Sequence, residues 1–120
     1  MDDKILENVD FDEGIKAIAD NTDGDLDNVS VVDLSKEYVI NGEKTKKLKF
    51  SFDKITGLDL LKAERMTRAR KDSTPSVVYS MTYQLIVASF ASGVPFETLQ
   101  SLNGKDVVSV IAEVSDFLFN

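Results

Sequence analysis

"VSVVDLSKEYVINGEKTKKLKFSF", residues 29–52, decides the fold. Asn41-Gly42 stands between two strand-like runs, a strong signal for a tight hairpin turn. Beyond it, Leu48, Phe50 and Phe52 alternate with Lys47, Lys49 and Ser51, so one face of the strand is apolar and the other polar. A two-residue turn places Ile40 opposite Glu43, and an uninterrupted ladder then sets Asp33 against Phe50, which is a poor pair. One extra residue in the first strand, around Ser35 and Lys36, instead opposes Leu34 to Leu48 and Val32 to Phe50. We therefore expect a bulge there.

Downstream the punctuation changes from strand to helix. Thr56-x-x-Asp59 has the outline of a capping box, and Asn103-x-x-Asp106 repeats it. Thr74 followed by Pro75 marks another helix start, Gly93 a left-handed cap, and Pro95 with Glu97 in "VPFETL" a short further helix. Helices are thus expected at about 57–71, 75–92, 95–102 and 104–119. On this reading Asp59 and Asp106 are caps rather than catalysts, and Asp106→Asn keeps the fold with a small loss of stability. The fold class is α+β: an N-terminal β-hairpin, about residues 29–52, packed on a C-terminal bundle of three to four helices in one domain, 29–120.

The helix faces indicate what is buried. Val107, Ile111, Val114 and Leu118 recur at helical spacing in the last helix, flanked by Val110 and Phe117. Over 75–92, Tyr79, Tyr83, Ile86 and Phe90 form one stripe, while Val78, Met81 and Leu85 occupy another side. A helix apolar on several sides is central, or partly covered by a partner. Val78, Met81 and Leu85 are accordingly the candidate partner-binding residues.

Composition narrows the chemistry. The 120 residues fit one domain, and the absence of His and Cys removes the commonest general base, the commonest metal ligand and the thiol nucleophile. No catalytic, cofactor-binding or metal-ligating set emerges, and no cofactor or enzymatic activity is expected. "VVYSMTYQLIVASFASGV" is the most apolar stretch, but its polar residues, Ser80, Thr82, Gln84, Ser89 and Ser92, make it a buried helix rather than a membrane span. A basic region followed by an apolar run is not visible at the N-terminus, so a cytoplasmic location is expected.

The net charge of −7 is unevenly spread. Residues 1–34 hold eleven acids and two lysines; residues 44–71 hold ten bases and three acids. Electrostatics alone brings the acidic head towards the basic middle. In the head, "DNTDGDLDN", residues 20–28, fails as a calcium loop: with Gly24 in sixth place, Ala19 and Ser30 fall where acidic ligands are required. Residues 1–28 read as a solvated, flexible acidic segment, with a short helix over about 12–19 suggested by Phe11, Ile15 and Ile18. The cluster Lys62, Arg65, Arg68, Arg70 and Lys71 complements the negative end of its own helix. As a phosphate footprint, Arg65, Arg68, Arg70 and Lys71 define the alternative function, a small nucleic-acid-binding regulator, although no readout motif accompanies them.

The order of elements also carries a resemblance. An acidic head, a strand pair, "FDKITGLDLLKAE", a long apolar helix ending at glycine, and "GVPFETLQSLNGKDVVSVIAEVSDFL" together resemble the tail assembly chaperones of long-tailed, siphovirus-type bacteriophages over about residues 29–118. The closing glycine, the short helix with Leu99 and Leu102, Asp106, and the final Phe117-Leu118 carry most of it. The resemblance implies a non-enzymatic protein of the host cytoplasm, absent from the finished virion. It would bind the tape measure protein and promote assembly of the tail tube around it, with the tail-tube protein and a second copy of itself as further partners. The resemblance also implies a longer product made by ribosomal slippage, and Asp116-Phe117-Leu118 is compatible with the slippery run U UUU UUA.

Overall fold

The computed structural model describes residues 29–120, and the acidic head, with its expected helix and its aspartate cluster, lies outside the described residues. Strand β1, Ser30–Ile40, pairs antiparallel with β2, Glu43–Phe50, through Asn41 and Gly42 at φ 54° and 83°. Both turn residues are left-handed, as this hairpin geometry requires.

The register confirms the irregularity in β1 and corrects its size. Tyr38 opposes Thr45 and Ile40 opposes Glu43, but Asp33 opposes Lys47, so four residues of β1 face one of β2. The excess is three residues rather than one. Val32 therefore meets Leu48, and Ser30 meets Phe50; the expected pairs Leu34–Leu48 and Val32–Phe50 do not form. An odd excess keeps the intended faces together, and Val32, Leu34, Leu48 and Phe50 are all buried. The loop is larger than a simple bulge because Ser35 is drawn to a helix start across the domain, as described below.

Four helices follow. Helix α1 spans Gly57–Ala69, α2 Met81–Ser92, α3 Phe96–Gln100 and α4 Gly104–Phe119. Helix α2 is central. Tyr83 through Ser89, with Ala91 and Ser92, are all buried, because α1, α3, α4 and β2 pack around it. The hairpin is fastened to it where the Ser51 N–H donates to the Ala91 carbonyl at 2.9 Å. A stack of Phe50, Phe52 and Phe117, with centroids 5.7 and 4.9 Å apart, joins the hairpin to α4.

Two expected boundaries move. The helix expected from Pro75 begins at Met81, capped by Ser80, whose Oγ accepts from the Tyr83 N–H. Thr74 does not cap it, since its N–H and hydroxyl both turn back to Asp72. Residues Val77–Tyr79 form a separate 3-10 turn. Pro95 is the N-cap of α3 rather than its first helical residue. Gly93 is the left-handed cap of α2, at φ 77°.

Candidate functional site

The structure separates the three candidate partner residues by exposure. Met81 is 57% exposed and Val78 half-buried, whereas Leu85 is 5% exposed and belongs to the core. The expected inner stripe is corrected in the same way. Tyr83 and Ile86 are buried and Phe90 is partly so, but Tyr79 lies before the helix and is 68% exposed. The late start of α2 explains Tyr79, because a stripe drawn across residues 78–90 assumes one continuous helix, whereas Leu85 is buried because neighbouring elements surround α2.

In place of that stripe, an apolar patch forms at one end of the domain. The Tyr79 ring stacks on Phe119, centroids 5.2 Å apart, and Phe119 is itself 46% exposed. Helical spacing in the last helix does not single out Phe119. Gln84, buried inside α2, holds the patch in place: its Nε2 donates to the Val78 carbonyl at 2.7 Å, and its Oε1 accepts from Ser115 Oγ on α4 at 3.1 Å. A half-satisfied buried amide is costly, so this bridge fixes the turn that carries Val78 and Tyr79.

A second device anchors the same segment. Asp72 accepts from the Thr74 N–H and hydroxyl and from Ser80 Oγ, at 2.9, 2.6 and 2.6 Å. These bonds, Ser80 first, hold its carboxyl down at about 2, against partial burial and with Arg68 adding attraction. Ser80 sits between Tyr79 and Met81, so Asp72 sets where both point. Lys71, just before it, takes φ 67° at the left-handed position of a Schellman closure, with Asp72 N–H returning to the Thr67 carbonyl.

At the other end lies Asp106, which departs furthest from its expected role. Asn103 does cap α4, its side chain accepting from the Asp106 N–H. The Asp106 carboxylate, however, does not complete a capping box. It is 1% exposed and accepts from the Ser35 N–H and Oγ at 2.8 Å each and from Tyr38 Oη at 2.6 Å. Tyr38 Oη in turn accepts from the Asn103 N–H, and Ser35 Oγ from Asn103 Nδ2. Burial pushes the carboxyl up, but the bonds from Tyr38 and Ser35, with Lys105 nearby, outweigh it and hold the group below its ordinary range. Burial and the Asp106 bond raise Tyr38, which keeps its hydroxyl a donor. Each hydroxyl gives one bond and takes one, so the cluster locks β1 to α4. The capping rationale behind a small loss for Asp106→Asn therefore does not describe this carboxylate.

The true capping box is Thr56–Asp59, with both reciprocal bonds formed at 3.0 and 3.2 Å. In the basic cluster, Arg68 donates to the carbonyls of Asp72 and Thr74, and Arg70 pairs with Glu97 at 3.2 Å while lying over the Phe96 ring. Arg65 and Lys71 are exposed. Among the described residues there is no group of acidic side chains placed to hold a metal ion, and no helix long and apolar enough to cross a membrane. Comparison with known proteins gives no match: no family model, no curated protein and no solved structure.

Proposed function

We propose that the chain is a tail assembly chaperone that binds the tape measure protein of a long-tailed bacteriophage, keeps it soluble and promotes tail-tube assembly around it. The observation that supports this reading is the exposed apolar pair of Tyr79 and Phe119, with the exposed Met81 two residues along the chain from Tyr79, on a chain of net charge −7. A tape measure is a long, largely helical chain whose apolar faces aggregate until the tube covers them. An apolar patch fits one such face, and methionine adapts its shape to sequences that vary along the partner. The net charge then keeps the complex dispersed. The role is non-catalytic, without cofactor, and is carried out in the host cytoplasm, with the protein absent from the finished virion. The order of elements described above supports the same reading. The nucleic-acid alternative has less support, because Arg68 and Arg70 are engaged within the chain.

Co-expression with the tape measure protein of the same tail gene cluster, followed by size-exclusion chromatography, tests the proposal. The expected result is a tape measure protein that is soluble and co-elutes only when this chain is present. A tape measure protein that stays soluble alone, or that never co-elutes, overturns it.

A further inference from the structure

The sequence holds two Asn-Gly pairs, Asn41-Gly42 at the tip of the hairpin and Asn103-Gly104 at the start of α4. An asparagine before glycine is chemically labile, because the next backbone nitrogen can close a five-membered ring on the side-chain carbonyl carbon and glycine has no side chain to obstruct the approach. Both asparagines and both glycines are exposed. The space beside each glycine is open as well: a β-carbon on Gly42 or Gly104 would meet no neighbouring element within 4 Å. Sequence and exposure therefore treat the two pairs alike.

Hydrogen bonding separates them. Asn103 Oδ1 accepts from the Asp106 N–H and Asn103 Nδ2 donates to Ser35 Oγ, each at 3.0 Å, so both polar atoms of that amide are tethered. The Asn41 amide and the Gly42 N–H, by contrast, bond to no other described residue. We propose that Asn41 is a site of spontaneous covalent modification, deamidation to aspartate and isoaspartate, and that the bonds locking β1 to α4 protect Asn103 from the same reaction. In the first step the Gly42 nitrogen loses its proton to a solvent base and bonds to Asn41 Cγ; the Cγ–Nδ2 bond breaks, and Nδ2 takes up a proton and leaves as ammonia. Water then opens the succinimide. Cleavage of the new Cγ–N bond gives aspartate, and cleavage at the Asn41 backbone carbonyl gives isoaspartate, whose main chain runs through the former side chain. Either product adds a negative charge beside Glu43, and isoaspartate adds a carbon to a turn whose residues, at φ 54° and 83°, close the pair Ile40–Glu43. Ile40 is 6% exposed, so the modification strains the hairpin tip at the margin of the core while the start of α4 stays intact. The inference is independent of the chaperone reading.

Prolonged incubation of the full chain in mildly alkaline buffer, followed by tryptic digestion and mass spectrometry, tests it. The peptide of residues 37–44 carries Asn41 as its one side-chain amide, and fragmentation of the peptide of residues 72–105 resolves Asn103 from Gln84 and Gln100. In the folded protein Asn103 is expected to convert to acid about thirtyfold more slowly than Asn41, the factor for breaking two hydrogen bonds before reaction. In urea the two sites are expected to convert at similar rates, because both are then Asn-Gly in a solvated chain. Asn41→Gln should abolish conversion in the peptide of residues 37–44, since the five-membered ring can no longer form. Equal rates at the two sites in the folded protein, faster conversion at Asn103, an Asn41 that converts only in urea, or undiminished conversion in Asn41→Gln overturns the proposal.

Discussion

The two ends of α4 are built on opposite principles. At its start, Asp106 is buried and every polar atom around it is matched, so that Ser35, Tyr38 and Asn103 form one closed set with the carboxylate. At its finish, Phe119 lies in solvent against Tyr79, with Met81 two residues further on. The closed end serves stability, because its buried carboxylate and both hydroxyls already bond within the chain. At the open end apolar area is exposed on a turn that Gln84 and Asp72 hold fixed, which is the arrangement a binding surface needs. Substitutions at the two ends should therefore separate stability from binding.

The largest effect is expected at the closed end. Asp106→Asn puts an amide N–H₂ against donors that now point at a carboxylate, and should lower the melting temperature by about 10 °C. Tyr38→Phe removes one of the three donors and strands the Asn103 N–H, so it should cost about half as much, and the double variant should cost less than the sum of the two. Strict additivity in thermal unfolding would mean that the cluster does not act as a unit.

Next comes Asp72, which fixes the open end. Its carboxyl is held at about 2 from an ordinary 3.8, so its contribution is present above about pH 4 and lost as the pH falls towards 2. Asp72→Asn should lower stability at neutral pH and flatten the fall in melting temperature across that window. Retention of the wild-type acid profile in the variant would assign the fall to other carboxylates.

A smaller effect of opposite sign is expected at Lys71, the non-glycine residue at φ 67°. Lys71→Gly should stabilise the protein by about 0.5–1 kcal/mol, since glycine takes that conformation without a Cβ penalty. Denaturant midpoints measure it directly.

The contrast between the ends also shows how far the sequence could be read. Thr56-Gly57-Leu58-Asp59 and Asn103-Gly104-Lys105-Asp106 follow one pattern, and local rules correctly find both helix starts. They assign both carboxylates to capping, which holds for Asp59 and fails for Asp106. The difference lies in Ser35 and Tyr38, about seventy residues upstream, and cap chemistry contains no information about such partners. The one local trace was the register conflict around Ser35 and Lys36, which gave the place and parity of the bulge but not its length. The patch was half legible for a similar reason. Met81 and Val78 carry a surface signal, but Thr74-Pro75 mimics a helix start, and only the bonds from Thr74 to Asp72 reveal that the chain is still turning. A helix started too early turns Tyr79 inward, while Leu85 is misjudged for a different reason: periodicity does not show that neighbours cover α2 on every side. The burial of α2 on all sides was readable from its composition alone.

The smallest change in stability is expected where the change in binding is greatest. Met81→Asp alters a residue that is 57% exposed and makes no side-chain hydrogen bond among the described residues, so circular dichroism and melting should stay within about 2 °C of wild type. Co-purification of this variant with the tape measure protein is the most direct measurement of whether the open end is the working surface. The expected result is a folded protein that no longer retains its partner. A folded variant that still co-purifies, or one that unfolds, would contradict it.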